Sequence, residues 1–372
     1  MPLAVVFNNF LRTAGGGERS SLDFAAAFRD LGYEVVIAVD HRIEMTLEEA
    51  SAPFGIELGD GCTLREFNGM GELLHFVRTG GCDVFLNHTF CSFVRNYAPV
   101  GLYAVMFAGP IGPPEVANLK TYDRILCNSD FTRQYVDVNW SADLPARTLC
   151  PPISKSHLAG LEISFAKKER LILNIGRFNV HGHNKHQLEA IRAFTRNVDN
   201  GVFSNEWKLR VIGQVNDNSE THEYVAQCQA AAEGYEVEIF LNAPLTILQE
   251  SYRRAAYLWQ FTGYGLDFGR EPEHCEHLGL VALDGFAYGL LAMAYERGGA
   301  AMIIRHTLDG FVFKNAVDVD RICSHIAESF GTHWHERCFS LARSRLSEFA
   351  YPAFKDQLAL ELDRAQKNIA VN

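Results

Sequence analysis

No stretch of this sequence is apolar over the length that crossing a bilayer requires, about 20 residues, so a membrane-spanning helix is not expected. Its nine cysteines include no CxxC pair, and an odd number cannot all pair within one chain. Reduced thiols in a cytoplasmic protein are the simplest reading. Basic charge is also short: 34 Lys and Arg stand against 45 Asp and Glu, a net charge of −11. Such a surface repels phosphate backbones, which argues against nucleic acid and leaves at most transient contact with an anionic membrane. Low-complexity segments and short-period repeats are missing. The opening residues Met1-Pro2-Leu3-Ala4-Val5-Val6-Phe7 lack the basic flank and cleavage site of a secretion signal and read as a first strand.

What is present is apolar content, 48% of 372 residues, enough for one very large core or two ordinary ones. Short apolar runs alternate with longer amphipathic stretches. Residues 3–9, 34–40, 83–89, 102–109 and 123–129 predict buried strands of a mostly parallel sheet. Between the first two, residues 18–31 carry Leu22, Phe24, Ala25, Phe28 and Leu31 on a helical period ended by Gly32, a βαβ unit. The pattern pauses at Cys150-Pro151-Pro152-Ile153-Ser154. A second series follows, with strands at 170–176, 208–213, 237–241, 257–262 and 290–295 and helices at 185–196, 220–232, 245–255 and 278–288. The tail, 317–330 and 333–366, is helical in period, with a kink or break expected at Tyr351-Pro352. Together these predict an α/β chain of two doubly wound, Rossmann-like domains facing across a cleft. The expected domains are 1–155, 156–350 and a terminal helix 351–372 that crosses back to the first domain.

Three clusters of residues carry chemistry. Ala14-Gly15-Gly16-Gly17-Glu18 lies between the first strand and first helix, where glycines let the backbone approach an anion and the helix offers free amides. A plain tight turn is equally compatible, and the GxGxxG spacing of dinucleotide folds is missing, so NAD is not indicated. Asn174-Ile175-Gly176-Arg177-Phe178, followed by His183-Asn184-Lys185-His186-Gln187, sets two cations at the carboxyl end of a strand, the usual anion site of such a sheet. Surface Arg and Lys on a loop is the plainer alternative.

The third and most specific runs Glu276-His277-Leu278-Gly279-Leu280-Val281-Ala282-Leu283-Asp284, two carboxylates bracketing the start of a helix. With the helix beginning near Leu278, eight residues rise at most about 12 Å. That matches the reach from a sugar across a diphosphate to a ribose, with the amides of Leu278, Gly279 and Leu280 facing the phosphates. The histidines at 181, 183 and 186, and His274-Cys275-Glu276-His277, invite a metal reading. A phosphate-site loop is favoured over it because adjacent residues rarely point at one ion.

On these motifs the sequence resembles glycosyltransferase family 4, retaining enzymes of the GT-B fold. The family's E-x7-E signature resembles Glu276-x7-Asp284, and its Gly-Gly loop resembles Gly298-Gly299. Its GR(F/L)…K element matches Gly176-Arg177-Phe178 and Lys185, and its GG-x-E loop approximates Gly16-Gly17-Glu18. Residues 123–129 and Asp309-Gly310-Phe311-Val312 resemble further family segments.

The resemblance implies a hexosyltransferase-like enzyme of carbohydrate biosynthesis, using a UDP- or GDP-linked sugar and a hydroxyl-bearing acceptor, without a tightly bound cofactor or metal. It implies that Arg177 and Lys185 hold the donor diphosphate, that Glu276 contacts the transferred sugar and that Asp284 holds the ribose. Gly16 and Gly17 would let the acceptor-side loop close on the phosphates.

Departures from the pattern are the shorter Asp284, the apolar Ala300-Ala301-Met302 after the Gly-Gly loop, and no His in the strand ending at Gly109. His88 is a substitute for that His or a structural, hydrogen-bonded residue. Two other functions stay open: a degenerate GT-B protein that binds a sugar nucleotide without transfer, and a GT-B epimerase or phosphorylase. The sugar, the base, the acceptor (soluble or lipid-linked) and the oligomeric state are not legible.

Overall fold

A computed structural model describes residues 1–13, 15–141, 143–153 and 162–371. Ala14, Ser154 and the boundary expected at 155/156 lie outside the described residues. The chain forms two compact units, Met1–Ala159 with Glu348–Asn372, and Gly160–Ser347.

The first unit is built on a seven-stranded sheet in the order β3-β2-β1-β4-β5-β6-β7. Its strands are β1 (Leu3–Phe7), β2 (Glu34–Val39), β3 (Cys62–Glu66), β4 (Cys82–Asn87), β5 (Val100–Val105), β6 (Arg124–Cys127) and β7 (Ala146–Thr148). Every pairing is parallel. Side chains alternate along β1. Ala4 and Val6 enter the core under the helix Gly16–Asp30, while Val5 and Phe7 enter the core on the opposite face. That two-sided burial is why the strand reads as an unbroken apolar run.

The last helix, Tyr351–Val371, joins the same core as Ala4 and Val6 through Tyr351, Phe354, Leu358, Leu362 and Ala365, a helical spacing. Tyr351 donates from its hydroxyl to Asp30 at 2.7 Å, and the buried Arg124 and Glu361 pair at 3.0 Å. Pro352 is the second residue of this helix, a position where its missing N–H has no intrahelical partner to lose. The break expected near 351 is therefore a helix start, preceded by the separate helices His333–Ser344 and Leu346–Phe349.

The second unit holds a six-stranded parallel sheet in the order β10-β9-β8-β11-β12-β13. Its strands are β8 (Glu169–Ile175), β9 (Lys208–Gly213), β10 (Val237–Leu241), β11 (Ala255–Gln260), β12 (Leu291–Tyr295) and β13 (Gly310–Phe313). Strand order reverses between β8 and β11, so the crevice at their carboxyl ends is the switch point where such sheets take ligands. Buried Asn174 on β8 donates to the carbonyl of Trp259 on β11 at 2.9 Å, closing the floor of that crevice.

Among the described residues, no helix is long and apolar enough to cross a membrane.

Candidate functional site

The site in the second unit starts where β8 ends. Its last residues lead into a loop, 176–186, that is shaped by its own side chains. Buried Gln187 donates from Nε2 to the carbonyls of Gly176 and Arg177, each at 3.0 Å, and ties the loop back to the helix Gln187–Asp199. The backbone is left-handed at Gly182, His183 and His186, with φ of 51°, 41° and 51°. His is among the residues that tolerate this region better than most. The expected helix at 185–196 therefore begins two residues later, because His186 takes the left-handed cap position. Lys185 thus stands in the loop ahead of the helix.

Gly176 lets the Lys185 stem lie against the strand end, since a Cβ there would come within 2.5 Å of Lys185 Cγ. The Lys185 Nζ donates to Glu276 Oε2 at 2.6 Å, with both side chains largely enclosed. Burial alone would raise the Glu276 pKa. The charge and hydrogen bond of Lys185 outweigh it and hold the carboxyl down at about 2.

The backbone of Glu276 is fixed by the Gly-Gly loop. Glu276 and Gly298 form a parallel bridge, and Gly299 N–H donates to the Glu276 carbonyl at 2.6 Å. Side chains are excluded there: a Cβ on Gly299 would sit 2.0 Å from the His277 carbonyl oxygen.

Arg177 is exposed and makes no ion pair among the described residues. Its charge nonetheless reaches His183, whose imidazole is pushed down to about 4 by burial, then by Lys185, with smaller contributions from His274 and Arg177. Arg177, Lys185 and Glu276 thus share one electrostatic neighbourhood around His183. The His183 ring meets the His277 ring edge-on, 4.1 Å between centroids at 81°. His277 Nε2 lies 2.8 Å from the Glu273 carbonyl, and burial followed by the neighbouring His183 keeps His277 well below the usual imidazole range. Among the described residues, no group of three or more His, Cys, Asp or Glu is disposed to hold a metal.

The helix following Glu276 spans Leu280–Ala287 and not 278–288. Gly279, left-handed at φ 89°, is its cap. This glycine is pressed against Ala300, whose Cβ would lie 2.8 Å from an added Cβ. Leu278 is buried ahead of the helix, and Leu280 opens it. Ala282 and Leu283 both donate to the Gly279 carbonyl, so the amides of Leu280 and Val281 are left free at the helix start. Asp284 is only 5% exposed, in the second half of this helix. Together with burial, its charge helps push the Tyr288 phenol up to about 12, against the opposing effect of Arg253. No described interaction joins Asp284 to Lys185 or Glu276.

Gly16, Gly17 and His88 lie in the first unit. The helix there starts at Gly16 and not at residue 18, because the Glu18 carboxylate accepts from Gly15 N–H at 2.7 Å and caps the first turn. Gly16 and Gly17 are thus helical, and a Cβ on Gly17 would come within 2.6 Å of Met106 Sδ. His88, directly after β4, is 2% exposed, with Nε2 3.1 Å from Ser20 Oγ and its ring edge-on to Phe24. Burial pushes its pKa down to about 4.

Sequence reasoning missed the imidazole pair and the anchoring role of Gln187. The histidines were visible, but nothing local tells that 183 and 277 meet.

Residues 162–330 match the family model of glycosyl transferases group 1. No curated protein matches the chain. Among solved structures, a glycosyltransferase from Rickettsia africae is similar over 97% of each chain, at 14% identity and a TM-score of 0.72. Sucrose-phosphate synthase from Thermosynechococcus elongatus is similar over all of both chains, at 14% identity and a TM-score of 0.71. HepE from Anabaena, in complex with UDP and glucose, covers 98% of this chain and is itself fully covered, at 14% identity and a TM-score of 0.66. At such identity these likenesses speak for the fold, and the fold they share is GT-B. The chain thus carries a group 1 glycosyltransferase segment, residues 162–330, on the GT-B fold.

Proposed function

We propose that the chain is a retaining glycosyltransferase that moves a sugar from a nucleoside diphosphate donor to a hydroxyl of a glycan or glycoconjugate. The observation that carries this reading is the Lys185–Glu276 pair at 2.6 Å, at the switch-point end of β8 and beside the exposed Arg177.

A departing diphosphate needs cations close at hand, and Arg177 and Lys185 supply them, Lys185 by exchanging Glu276 for the phosphate oxygens. Glu276, ionised at every physiological pH, is an acceptor for the hydroxyls of the transferred sugar and steadies positive charge developing at its anomeric carbon. The amides at Leu280 and Val281 add a partial positive charge on the phosphate side. In this reading the acceptor hydroxyl enters on the face that the diphosphate leaves, and a phosphate oxygen takes its proton. Asp284 serves the ribose, through a water or a small helix shift, because its carboxylate is buried.

Two carboxylates flanking the scissile bond, as in glycoside hydrolases, fit less well, because Glu276 is engaged by Lys185 and Asp284 lies within the helix. The UDP complexes of the Anabaena neighbour support a uridine diphosphate donor, with GDP as the alternative. Residues 1–155 would serve the acceptor, with Gly16, Gly17 and His88 on that side. Residues 156–350 would serve the donor, and 351–372 would return to the first domain. The nine free cysteines support a cytoplasmic location.

The test is a thermal-shift panel of UDP- and GDP-sugars followed by NMR assignment of the product anomer. Stabilisation by one nucleotide sugar and a product of unchanged anomeric configuration are expected. An inverted product removes the retaining mechanism, and a panel without any stabilising ligand removes the donor site.

A further inference from the structure

In the donor site just proposed, Lys185 has two claims on it. Without ligand it is bound to Glu276, and with donor present it must neutralise a diphosphate. As it turns to the diphosphate, the ion pair that ties the 176–186 loop to the segment around Glu276 is weakened at the moment when geometry matters most. A second tie between the same two segments does not depend on charge. His183, two residues before Lys185, meets His277, next to Glu276, ring edge to ring face at 4.1 Å.

Both ends of this tie are anchored. His277 is buried, with Nε2 2.8 Å from the Glu273 carbonyl, and its own carbonyl lies against Gly299 with no room for a side chain between them. His183 is held by a loop that takes a left-handed turn at both Gly182 and His183, and Asn179 Nδ2 donates to the Gly182 carbonyl at 3.1 Å. Left-handed backbone at a non-glycine residue is disfavoured and persists only where its surroundings require it. Here it carries the His183 ring to its partner.

We infer that the His183–His277 pair is a positioning element of the donor site, an uncharged cross-link that keeps the Lys185 loop and the Glu276 segment in register while Lys185 exchanges its carboxylate partner for the donor diphosphate. This rests on the donor-site reading above. The tie must stay uncharged to work. Arg177, Lys185 and His274 already surround His183 with actual or potential cations, against the single carboxylate of Glu276. A proton on His183 would add a cation to that set, and protons on both rings would set two cations 4.1 Å apart. A lysine or arginine in place of His183 would compete with Lys185 for Glu276.

The experiment measures UDP and GDP affinity calorimetrically for the wild type, His183→Asn and His183→Phe, and melting temperatures for His183→Asn in the wild-type and Glu276→Gln backgrounds. Asparagine tolerates the left-handed backbone but removes the ring, whereas phenylalanine keeps a ring that cannot titrate. Expected are about a tenfold loss of affinity for His183→Asn and within about threefold of wild type for His183→Phe. Also expected is a larger melting-temperature loss from His183→Asn when Glu276→Gln has already removed the ion pair, the non-additivity of two ties sharing one task. As pH falls through about 4, affinity should drop further in the wild type than in His183→Phe, a difference that a purely packing role would not produce. The inference is overturned if His183→Asn binds like wild type, if His183→Phe is as weak as His183→Asn, or if the melting-temperature losses simply add. A wild type that binds neither nucleotide would instead remove the donor-site reading itself.

Discussion

At the carboxyl end of β1, glycines, an acidic residue and a histidine are absorbed by the structure around them. Gly16 and Gly17 become the first turn of a helix, Glu18 caps it, and His88 is buried against Ser20 and Phe24. At the carboxyl end of β8, the corresponding residues meet partners from distant segments or stay exposed. Gly176 makes room for Lys185, Gly298 and Gly299 grip the backbone of Glu276, and Arg177 stays exposed. Similar residue types at equivalent places in two parallel sheets therefore differ in what satisfies them. Where short-range partners are at hand, polar groups are used for folding. Where glycine loops exclude side chains, charged groups pair across segments or stay exposed.

The largest way to test this contrast is Lys185→Ala. It should lower turnover by about 10²–10³-fold, the usual cost of removing one pre-placed donor to developing charge, and lower the melting temperature as well, because Glu276 loses its partner, with the fold kept. Wild-type turnover in that variant would move the chemistry elsewhere. Next come the two glycines. Gly299→Ala must displace the His277 carbonyl, a backbone group that cannot swing aside, and should cost about 1–3 kcal/mol in chemical denaturation along with most activity. Gly17→Ala meets only the flexible end of Met106 and should cost less than about 1 kcal/mol. Equal costs would erase the distinction between the two turns.

His88→Ala, which strips Ser20 of a buried partner, should destabilise by about 1–3 kcal/mol while leaving the donor KM unchanged. A raised acceptor KM without loss of stability would return His88 to the substrate side.

A further test is pH. His88, His183 and His335 are each pushed down to about 4 by burial, against about 6.5 for an unfolded imidazole. Unfolding therefore takes up protons between these values. The stability these histidines contribute is whole above about pH 6.5 and declines as pH falls toward 4. Glu276, at about 2, acts in the same direction in a lower window: its contribution is present above about pH 4.3 and lost as pH falls through about 2. Denaturation midpoints at pH 7 and pH 5 should differ in favour of pH 7, and identical midpoints would contradict the burial of these rings.

Much of the fold was legible because strands buried on both faces are written as continuous apolar runs. β1, β2, β4, β5 and β6 fall on the predicted stretches, as do β8 to β12. The strands that escaped the periodic reading, β3, β7 and β13, are sheet edges. β3 reads Cys-Thr-Leu-Arg-Glu with much of its length exposed, and β7 is three residues long, so neither carries such a run. Helix starts shifted for local reasons that composition does not reveal: a carboxylate cap at Gly15, and left-handed caps at His186 and Gly279. At the site, Gly176, Arg177, Lys185 and Glu276 stood out because cations after a strand and a carboxylate before a helix form a chemical pattern. That 185 and 276 would meet, 91 positions apart, came only with the fold.

By itself, the order of residues determined that the chain would make two parallel α/β sheets and would set two cations after a strand of the second. Periodicity and residue type are properties of neighbours along the chain. Which charges pair, which histidines stay neutral and which glycines make room for a distant segment or merely turn into helix were decided by tertiary structure. Those outcomes depend on desolvation and on distances between segments, and neither exists until the strands have been set side by side.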